Sequence, residues 1–425
     1  MWLQADIEPY LSATMPIELP EPPSGEGAPK PPNLWVWLVL LVVCLAAGIV
    51  WTLLTWPKGQ STGTSRFWMQ LLGYPTLACA VAFGLRLHFY EEACNYLMAQ
   101  EEVLQADREE AIAFGSEPLV VIGIAYLCGM GSSGVSGRVA QKESALEARA
   151  PKRDMAPIRH TRLALPEEYQ GTDRYRQVFR ALLAKLDHAL CALPSGVPFD
   201  VQLQLPGDAD SEPLLTIWST CWDDCGLRPT KARLLPDGAG LMALDTWLDE
   251  CGGPALEKFT LFVALQLNDE PPANSAEVAV ALLLGWPPMA QRRDVLPIAM
   301  LHRPVACETD GFAESLRTVA LLGRTPPNEL HQLWQSSLSK VDKAALLKSA
   351  SEVSLEAAEA DDLSGIHDID AALGNPGVAA SWFATALAVE YAQQNNASQL
   401  IACQEDTLRL AVVRPTDSQA ELETT

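Results

Sequence analysis

EKFTLFVALQLN (residues 257–268) and AEVAVALLLGW (residues 276–286) are the stretches of this sequence that decide its fold. Both are runs of mostly apolar residues with few polar interruptions. A strand that is buried on both faces has this continuous apolar character, whereas a strand with one wet face alternates. The two runs therefore predict a sheet that other elements cover on both sides.

The neighbouring sequence supplies helices and further strands for such an arrangement. Apolar spacing predicts an amphipathic helix over 175–193, and alternation predicts a half-buried strand over 200–205. We expect a strand at 212–220 (EPLLTIWST) and a helix over 242–252 that Gly252 ends. Similar helical and strand patterns continue along the chain, and DTLRLAVVRP (residues 406–415) predicts the last strand. The sequence thus predicts an α/β layered soluble domain over residues 158–415, followed by an acidic tail at 416–425.

Residues 34–56, LWVWLVLLVVCLAAGIVWTLLTW, carry no charged side chain. Crossing a membrane takes roughly 20 apolar residues, so this run is long enough. Tryptophans at both of its ends match the two membrane interfaces. Residues 1–33 are acidic and rich in Pro, which predicts a disordered tail and not the basic start of a signal peptide. We predict a membrane span at 34–56.

A second apolar run follows after a short polar loop. Residues 67–87 can also cross, with a kink at Pro75. The two runs predict a transmembrane helical hairpin over 34–90 that anchors the chain in a lipid bilayer. For residues 91–157 we expect a charged helix, an apolar strand or interfacial segment, and a Gly/Ser-rich connector.

The charge and the cysteines bear on partners and compartment. A net charge of −23 excludes non-specific binding to nucleic acid. The ten cysteines are dispersed without the spacing of a disulfide framework. A basic stretch between Arg138 and Lys185 also favours the inside of the membrane. We expect a cytoplasmic soluble part, with a periplasmic one as the alternative.

One segment is strongly acidic. No Lys or Arg occurs between Ala350 and Leu408. Its carboxylates form either a solvated face or a docking surface for a basic protein partner, which opposite charge would attract. The candidate partner-binding residues are Glu352, Glu356, Glu359, Asp361, Asp362, Asp368 and Asp370.

A glycine-rich motif follows the apolar run that ends near Cys128. Gly129, Gly131 and Gly134 have the G-x-G-x-x-G spacing of a dinucleotide-binding loop. The residues after it, however, show no clear apolar stripe. We favour a Gly/Ser connector and keep nucleotide binding as the alternative; no cofactor is predicted.

Three cysteines were weighed as metal ligands. Cys221 and Cys225 are four residues apart, and Cys251 is a distant third. Zinc sites usually contain a second closely spaced pair, which is missing, so buried structural thiols are favoured. The six histidines show no ligand spacing, and no G-x-S-x-G elbow or P-loop occurs. The prediction is no metal and no catalytic residue.

Residues 369–393, IDAALGNPGVAASWFATALAVEYAQ, resemble the segment of thiolase-like condensing enzymes that reads approximately N-I-G-H-x-x-A-A-G and continues into an apolar helix. Enzymes of that family pair a nucleophilic Cys with two His. Asn375 stands at the position of one such His, Ala380 and Ser381 occupy the small-residue turn, and no Cys has the Cys-Ser-Ser setting. The resemblance implies a layered α/β fold that has lost its active site.

Residues 51–59 and 67–92 also resemble proteins encoded beside type VI secretion effectors in Gram-negative bacteria. That resemblance implies an inner-membrane immunity protein or effector adaptor whose partner is a protein toxin or secretion effector. We therefore predict a membrane-anchored, non-enzymatic binding protein. The alternative is a membrane-tethered enzyme of thiolase-like or nucleotide-binding type.

Overall fold

The computed structural model describes residues 29–149, 157–166, 169–207, 209–236, 238–250, 252–307, 311–359 and 362–416. These residues fall into two compact units that divide at Ile112. The first unit contains apolar helices, and the second contains the sheets.

The first unit contains a helical hairpin. Helix α1 (Leu34–Thr55) is followed by α2 (Ser65–Trp68), a π-helical turn (Met69–Gly73) and α3 (Tyr74–Gly115). Trp37 packs on Phe83 at one end of the pair, and Trp56 packs on Phe67 at the other. The two apolar runs are therefore antiparallel neighbours.

A glycine on α1 allows this close packing. A Cβ on Gly48 would lie 2.3 Å from Cγ of Pro75, so only glycine leaves room there. Pro75 has no N–H to give to the helix. The π-helical turn directly before Tyr74 is the kind of irregularity that accommodates such a break. The structure thus has a π-helical turn beside Pro75, where the sequence predicts a kink.

Most side chains of the two apolar helices face outward. Leu34, Trp35 and Leu54 are each more than 70% exposed, and most large exposed apolar residues of the described chain lie on this hairpin. A core helix of a soluble protein would bury these groups. Two helices, Leu34–Thr55 and Ser65–Gly115, are long and apolar enough to cross a membrane.

The second unit contains a large mixed sheet. Its strand order is β12-β11-β13-β14-β9-β1-β8-β6-β4-β5, and β10 pairs with β14. A smaller sheet has the order β2-β3-β7. The strands are β1 (Leu119–Cys128), β2 (Glu147–Arg149), β3 (Ile158–Thr161), β4 (Phe199–Gln204), β5 (Ala232–Leu234), β6 (Phe259–Gln266), β7 (Ser275–Ala276), β8 (Val278–Gly285), β9 (Ala299–Leu301), β10 (Val305–Cys307), β11 (Gln332–Ser336), β12 (Ile366–Asp368), β13 (Gln399–Gln404) and β14 (Leu408–Pro415).

Helices cover the large sheet on both faces. They are α4 (Val135–Ala140), α5 (Thr172–Ala192), α6 (Ser211–Asp224), α7 (Met242–Leu248), α8 (Pro287–Arg292), α9 (Phe312–Leu322), α10 (Lys340–Glu352), α11 (Glu356–Glu359), α12 (Ile369–Leu373) and α13 (Ala380–Asn395).

Three cores show the layering. On β8, Val280 and Leu282 face a core with α7 and α13, whereas Ala281 and Leu283 face a second core with α5 and α6. A third core packs α9 and α10 on β11, β13 and β14. Helix α13 contacts strands of both halves of the sheet, so it is a central layer. The predicted α/β layered fold is confirmed, including the doubly buried strands β6 and β8.

Two sequence-based expectations differ from the structure. Residues 212–220, expected as a strand, lie in helix α6, because Leu214, Ile217, Trp218 and Cys221 repeat at helical spacing and are all buried. Strand β1 was placed ahead of the α/β domain but pairs with β8 and β9 inside the large sheet.

Candidate active site

Several strand ends and helix beginnings of the second unit meet in one polar cluster. Gln266 ends β6, Ser336 ends β11 and Gln404 ends β13. Helices α7, α12 and α13 begin beside them, as the hydrogen bonds below establish. Ligands of α/β sheets commonly bind outside the carboxyl ends of strands, so this cluster is the candidate site.

One part of the cluster is the turn before α13. The Asn375 Oδ1 accepts hydrogen bonds from the Gly377 N–H at 2.7 Å and from the Ser337 Oγ at 3.1 Å. Gly377 has φ +57°, and a Cβ there would lie 2.3 Å from the Gln266 Oε1, so glycine is required. The Gln266 Oε1 in turn accepts the Val378 N–H at 3.2 Å. Asn375 itself is exposed.

A second part holds two carboxylates of the acidic segment. The Asp370 carboxylate accepts the Ser336 Oγ and the Ser337 N–H, each at 2.7 Å. Burial raises the pKa of Asp370, and these hydrogen bonds oppose the increase. Asp368 forms an ion pair with Lys343 at 2.6 Å and accepts the Ala371 N–H at the start of α12. Both carboxylates therefore hold the cluster together.

The third part is a carboxylate in the turn between β13 and β14. The Glu405 Oε1 accepts the Ser381 Oγ at 2.5 Å, in the first turn of α13, and the Leu241 N–H at 3.0 Å, directly before α7. Gly240 has φ +43°, and a Cβ on it would lie 2.2 Å from the Glu405 carboxyl. Burial raises the pKa of Glu405, against the opposing effects of Ser381, Leu241 and Arg409. A carboxylate whose pKa is raised is a stronger proton acceptor, so it can exchange protons with a substrate.

The Cys403 thiol lies near enough to the Glu405 and Asp370 carboxylates to be affected by their charges, but it is poorly suited to attack. Cys403 is fully buried. Its pKa is raised well above the usual value by burial and by the negative charges of Glu405 and Asp370. Since the thiolate is the nucleophilic form, Cys403 is not an activated nucleophile. The cluster can therefore offer acid–base chemistry and hydrogen bonds, without a reactive sulfur.

The predicted partner-binding residues separate into two groups. Glu352, Glu356, Glu359 and Asp362 are exposed, and Asp361 lies outside the described residues. Asp368 and Asp370 instead make the internal contacts given above. Docking of a basic partner on this segment stays a prediction.

The glycine-rich loop is ordered, and its backbone N–H groups bind the carboxylate of Glu390. Gly131 and Gly134 have φ +126° and +67°. The Gly134 N–H and the Ser136 N–H donate to Glu390 of α13 at 2.7 and 3.0 Å, and the Tyr126 hydroxyl donates to the same carboxylate at 2.8 Å. Because Glu390 takes the N–H groups that would hold a phosphate, the loop does not favour the nucleotide alternative.

The three cysteines weighed as metal ligands do not form a site in the described residues. Cys221 is buried in α6, as expected for a structural thiol. Cys225 is exposed, contrary to expectation, because it caps the end of that helix. Cys251 lies outside the described residues. No group of three potential ligands is found in the part of the chain that the structure describes.

The thiolase-like segment of the sequence contains Asn375 and Ser381, where the resemblance implies a lost active site and no catalytic residue, and it does not reach Ser337 or Glu405. Glu405 lies in the three-residue sequence EDT between two buried strands, where it reads as an ordinary hairpin turn. The sequence feature that could have pointed to Glu405 is a carboxylate in a very short turn between two apolar strands.

The comparisons with known proteins concern the fold. No protein-family model and no curated protein matches the sequence. The ketosynthase from module 6 of the bacillaene synthase from Bacillus subtilis 168 matches with a TM-score of 0.52 and 10% identity, over 71% of this chain and 72% of that one. A type II polyketide synthase ketosynthase, in complex with its acyl-carrier protein and bound to the hexaketide, matches with a TM-score of 0.51 and 12% identity. That match covers 71% of this chain and 99% of the other. The oxazolomycin ketosynthase domain OzmH KS8 of Streptomyces albus JA3453 matches with a TM-score of 0.50 and 12% identity. That match covers 73% of this chain and 98% of the other.

These matches correct the predicted function. The predicted function of an immunity protein or effector adaptor is wrong on these findings, since each of the three solved structures named above is a ketosynthase and none of the three is a protein of type VI secretion. The alternative, a thiolase-like enzyme fold, agrees better with the structure. This chain is similar in fold to the thiolase-like ketosynthases.

Proposed function

We propose that this protein is a membrane-tethered enzyme of thiolase-like fold that hydrolyses an acyl ester or thioester, with Glu405 as the general base. The observation that carries the proposal is the Glu405 carboxyl group. It has a raised pKa and is held between the beginnings of α7 and α13. Fold likeness to ketosynthases, one of them bound to a hexaketide, supports an acyl substrate.

The reaction is written with water as the nucleophile. Glu405 takes a proton from the water, whose oxygen attacks the acyl carbonyl. The bond to the alcohol or thiol breaks, and the proton returns to that leaving group. Ser381 is a positioning residue, because its side chain is 1% exposed and its Oγ fixes the Glu405 carboxylate. Asn375 and Ser337 lie at the exposed side of the cluster, where a substrate would enter.

This proposal excludes the chemistry of condensing enzymes for this chain. Those enzymes pair a Cys with two His, whereas Asn375 stands where a His would be and the buried Cys403 has a strongly raised pKa. In our proposal the hairpin Leu34–Thr55 and Ser65–Gly115 tethers the enzyme to a bacterial inner membrane. In this proposal the enzyme binds its acyl substrate on the cytoplasmic side of the membrane.

The test is acyl hydrolysis by the full chain purified in detergent. A series of acyl thioesters of increasing chain length is incubated with the protein, and the released acid is measured by mass spectrometry. Glu405→Gln should lower the rate about 10²–10⁴-fold, the usual contribution of a general base. The matched control is Glu212→Gln, an exposed carboxylate on α6 away from the cluster, which should leave the rate unchanged. No hydrolysis above background, or equal rates in both variants, would overturn the proposal.

A further inference from the structure

A surface groove with unpaired positive charge lies at the end of α9. It has a volume of about 340 Å³ and is lined by the last turns of that helix and by residues 324–327. Leu321 is 39% exposed at its edge, and Ala320, Pro326 and Pro327 add to its apolar lining. This surface is unusual because it combines exposed apolar area with two arginines, Arg317 and Arg324.

The charges around these two arginines set what the groove can bind. Within the described residues no Asp or Glu oxygen lies within 4.0 Å of Arg317 or Arg324, although the chain has 53 acidic residues and a net charge of −23. Both guanidinium groups are exposed. The groove therefore fits an acidic segment that also carries an apolar side chain.

The last described strand ends beside this groove. Thr325 of the groove lies 3.5 Å from Ser398, Oγ to Oγ, and Gln399, which follows Ser398, pairs with Val413 of β14. A Cβ on Gly323 would lie 2.8 Å from Val412. Strand β14 therefore ends, at Pro415, on the side of the sheet-containing unit that carries the groove.

We propose that residues 417–425, DSQAELETT, bind in this groove in the same chain. Nine residues can extend about 30 Å, which is more than the groove requires. Asp417, Glu421 and Glu423 supply negative charge for Arg317 and Arg324, and Leu422 supplies an apolar group for Leu321. The proposed docking is independent of the acyl chemistry at Glu405.

The experiment uses a fluorescein-labelled peptide of residues 417–425 and the chain truncated after Thr416, purified in detergent. Fluorescence anisotropy should show saturable binding that weakens with salt, since exposed ion pairs are screened. Replacing both arginines by Ala should weaken the affinity about tenfold or more, as two lost ion pairs and their apolar contacts require. The control is Arg233→Ala with Arg293→Ala, two exposed arginines elsewhere. The untruncated chain should bind the peptide more weakly than the truncated chain, because its own segment occupies the groove.

Three results would overturn the proposal. One is no binding to the truncated chain, and another is equal affinity after the Arg317 and Arg324 replacements. The third is a full chain whose mass by light scattering falls from dimer to monomer on truncation, since the segment would then bind a second copy. Acyl hydrolysis by the truncated chain is measured in parallel, so a failure here is distinguishable from a failure of the proposed function.

Discussion

The perturbation with the largest predicted effect on stability is Arg174→Met. The Glu277 carboxylate beside it is fully buried and accepts the Arg174 Nη2 at 2.6 Å, the Leu163 N–H at 3.0 Å and the Asn268 N–H at 3.2 Å. Arg162 is 3.7 Å away and is partly exposed. Arg174 is therefore the main positive charge that compensates the Glu277 carboxylate, which is buried away from solvent.

The expected cost follows from that geometry. Removing one member of a buried ion pair leaves an uncompensated charge and costs about 3–5 kcal/mol. The loss would spread towards the candidate site, because Asn268 also accepts the Gln266 amide at 2.7 Å and Gln266 holds the Val378 N–H. Adding Glu277→Gln to Arg174→Met should recover part of the lost stability, since the neutral amide needs no cation.

The assay is pulse proteolysis of the full chain in detergent over a urea series, which reports the free energy of unfolding of the sheet-containing unit. Arg180→Met is the matched control, because its ion pair with Asp224 is about half exposed and contributes little. A change no larger than that of Arg180→Met, or no recovery in the double variant, would show that Arg174 is not needed to compensate the Glu277 charge.

Three further predictions concern other parts of the molecule. Gly323→Ala should destabilise the sheet unit by about 1–3 kcal/mol, because its Cβ would lie 2.8 Å from a β14 side chain, whereas Gly207→Ala meets no atom within 4 Å and serves as control in the same urea assay. Burial raises the folded-state pKa of Glu405, so its contribution is present at low pH and is lost as pH rises through that pKa; Glu405→Gln should flatten the pH dependence of stability between mildly acidic and neutral pH, and an unchanged profile would contradict the raised pKa. Reporter fusions at Gly59 and Thr425 should lie on opposite sides of the membrane if both apolar helices cross it, and the same side for both would exclude one span.

The fold could be predicted from the sequence where apolar pattern and burial agree. Strands β6 and β8 are apolar at nearly every position because both of their faces are covered, and helix α1 is apolar all round because its side chains face outward. The strand prediction for residues 212–220 was wrong because a short apolar run is compatible with both a strand and a helix. Trp218 and Trp222 reveal the helical period only over a longer window.

The candidate site was less accessible to prediction. Asn375 lies in the thiolase-like segment because its turn and the following helix are continuous in sequence, but the resemblance implies a lost site there. Glu405, Leu241 and Ser337 come from three distant segments that only the tertiary fold brings to one place. The raised pKa of Glu405 arises from burial in that cluster, and no local sequence pattern encodes it.

In the proposed reaction, acyl chemistry at this site proceeds by water attack and without an acylated cysteine. Intact-protein mass spectrometry during turnover of a reactive acyl thioester tests it most directly, with samples quenched in acid over the first turnovers. We expect released acid and a protein mass that stays unmodified throughout. A transient mass increase by one acyl group, mapped by peptide sequencing to Cys403 or any other cysteine, would contradict it.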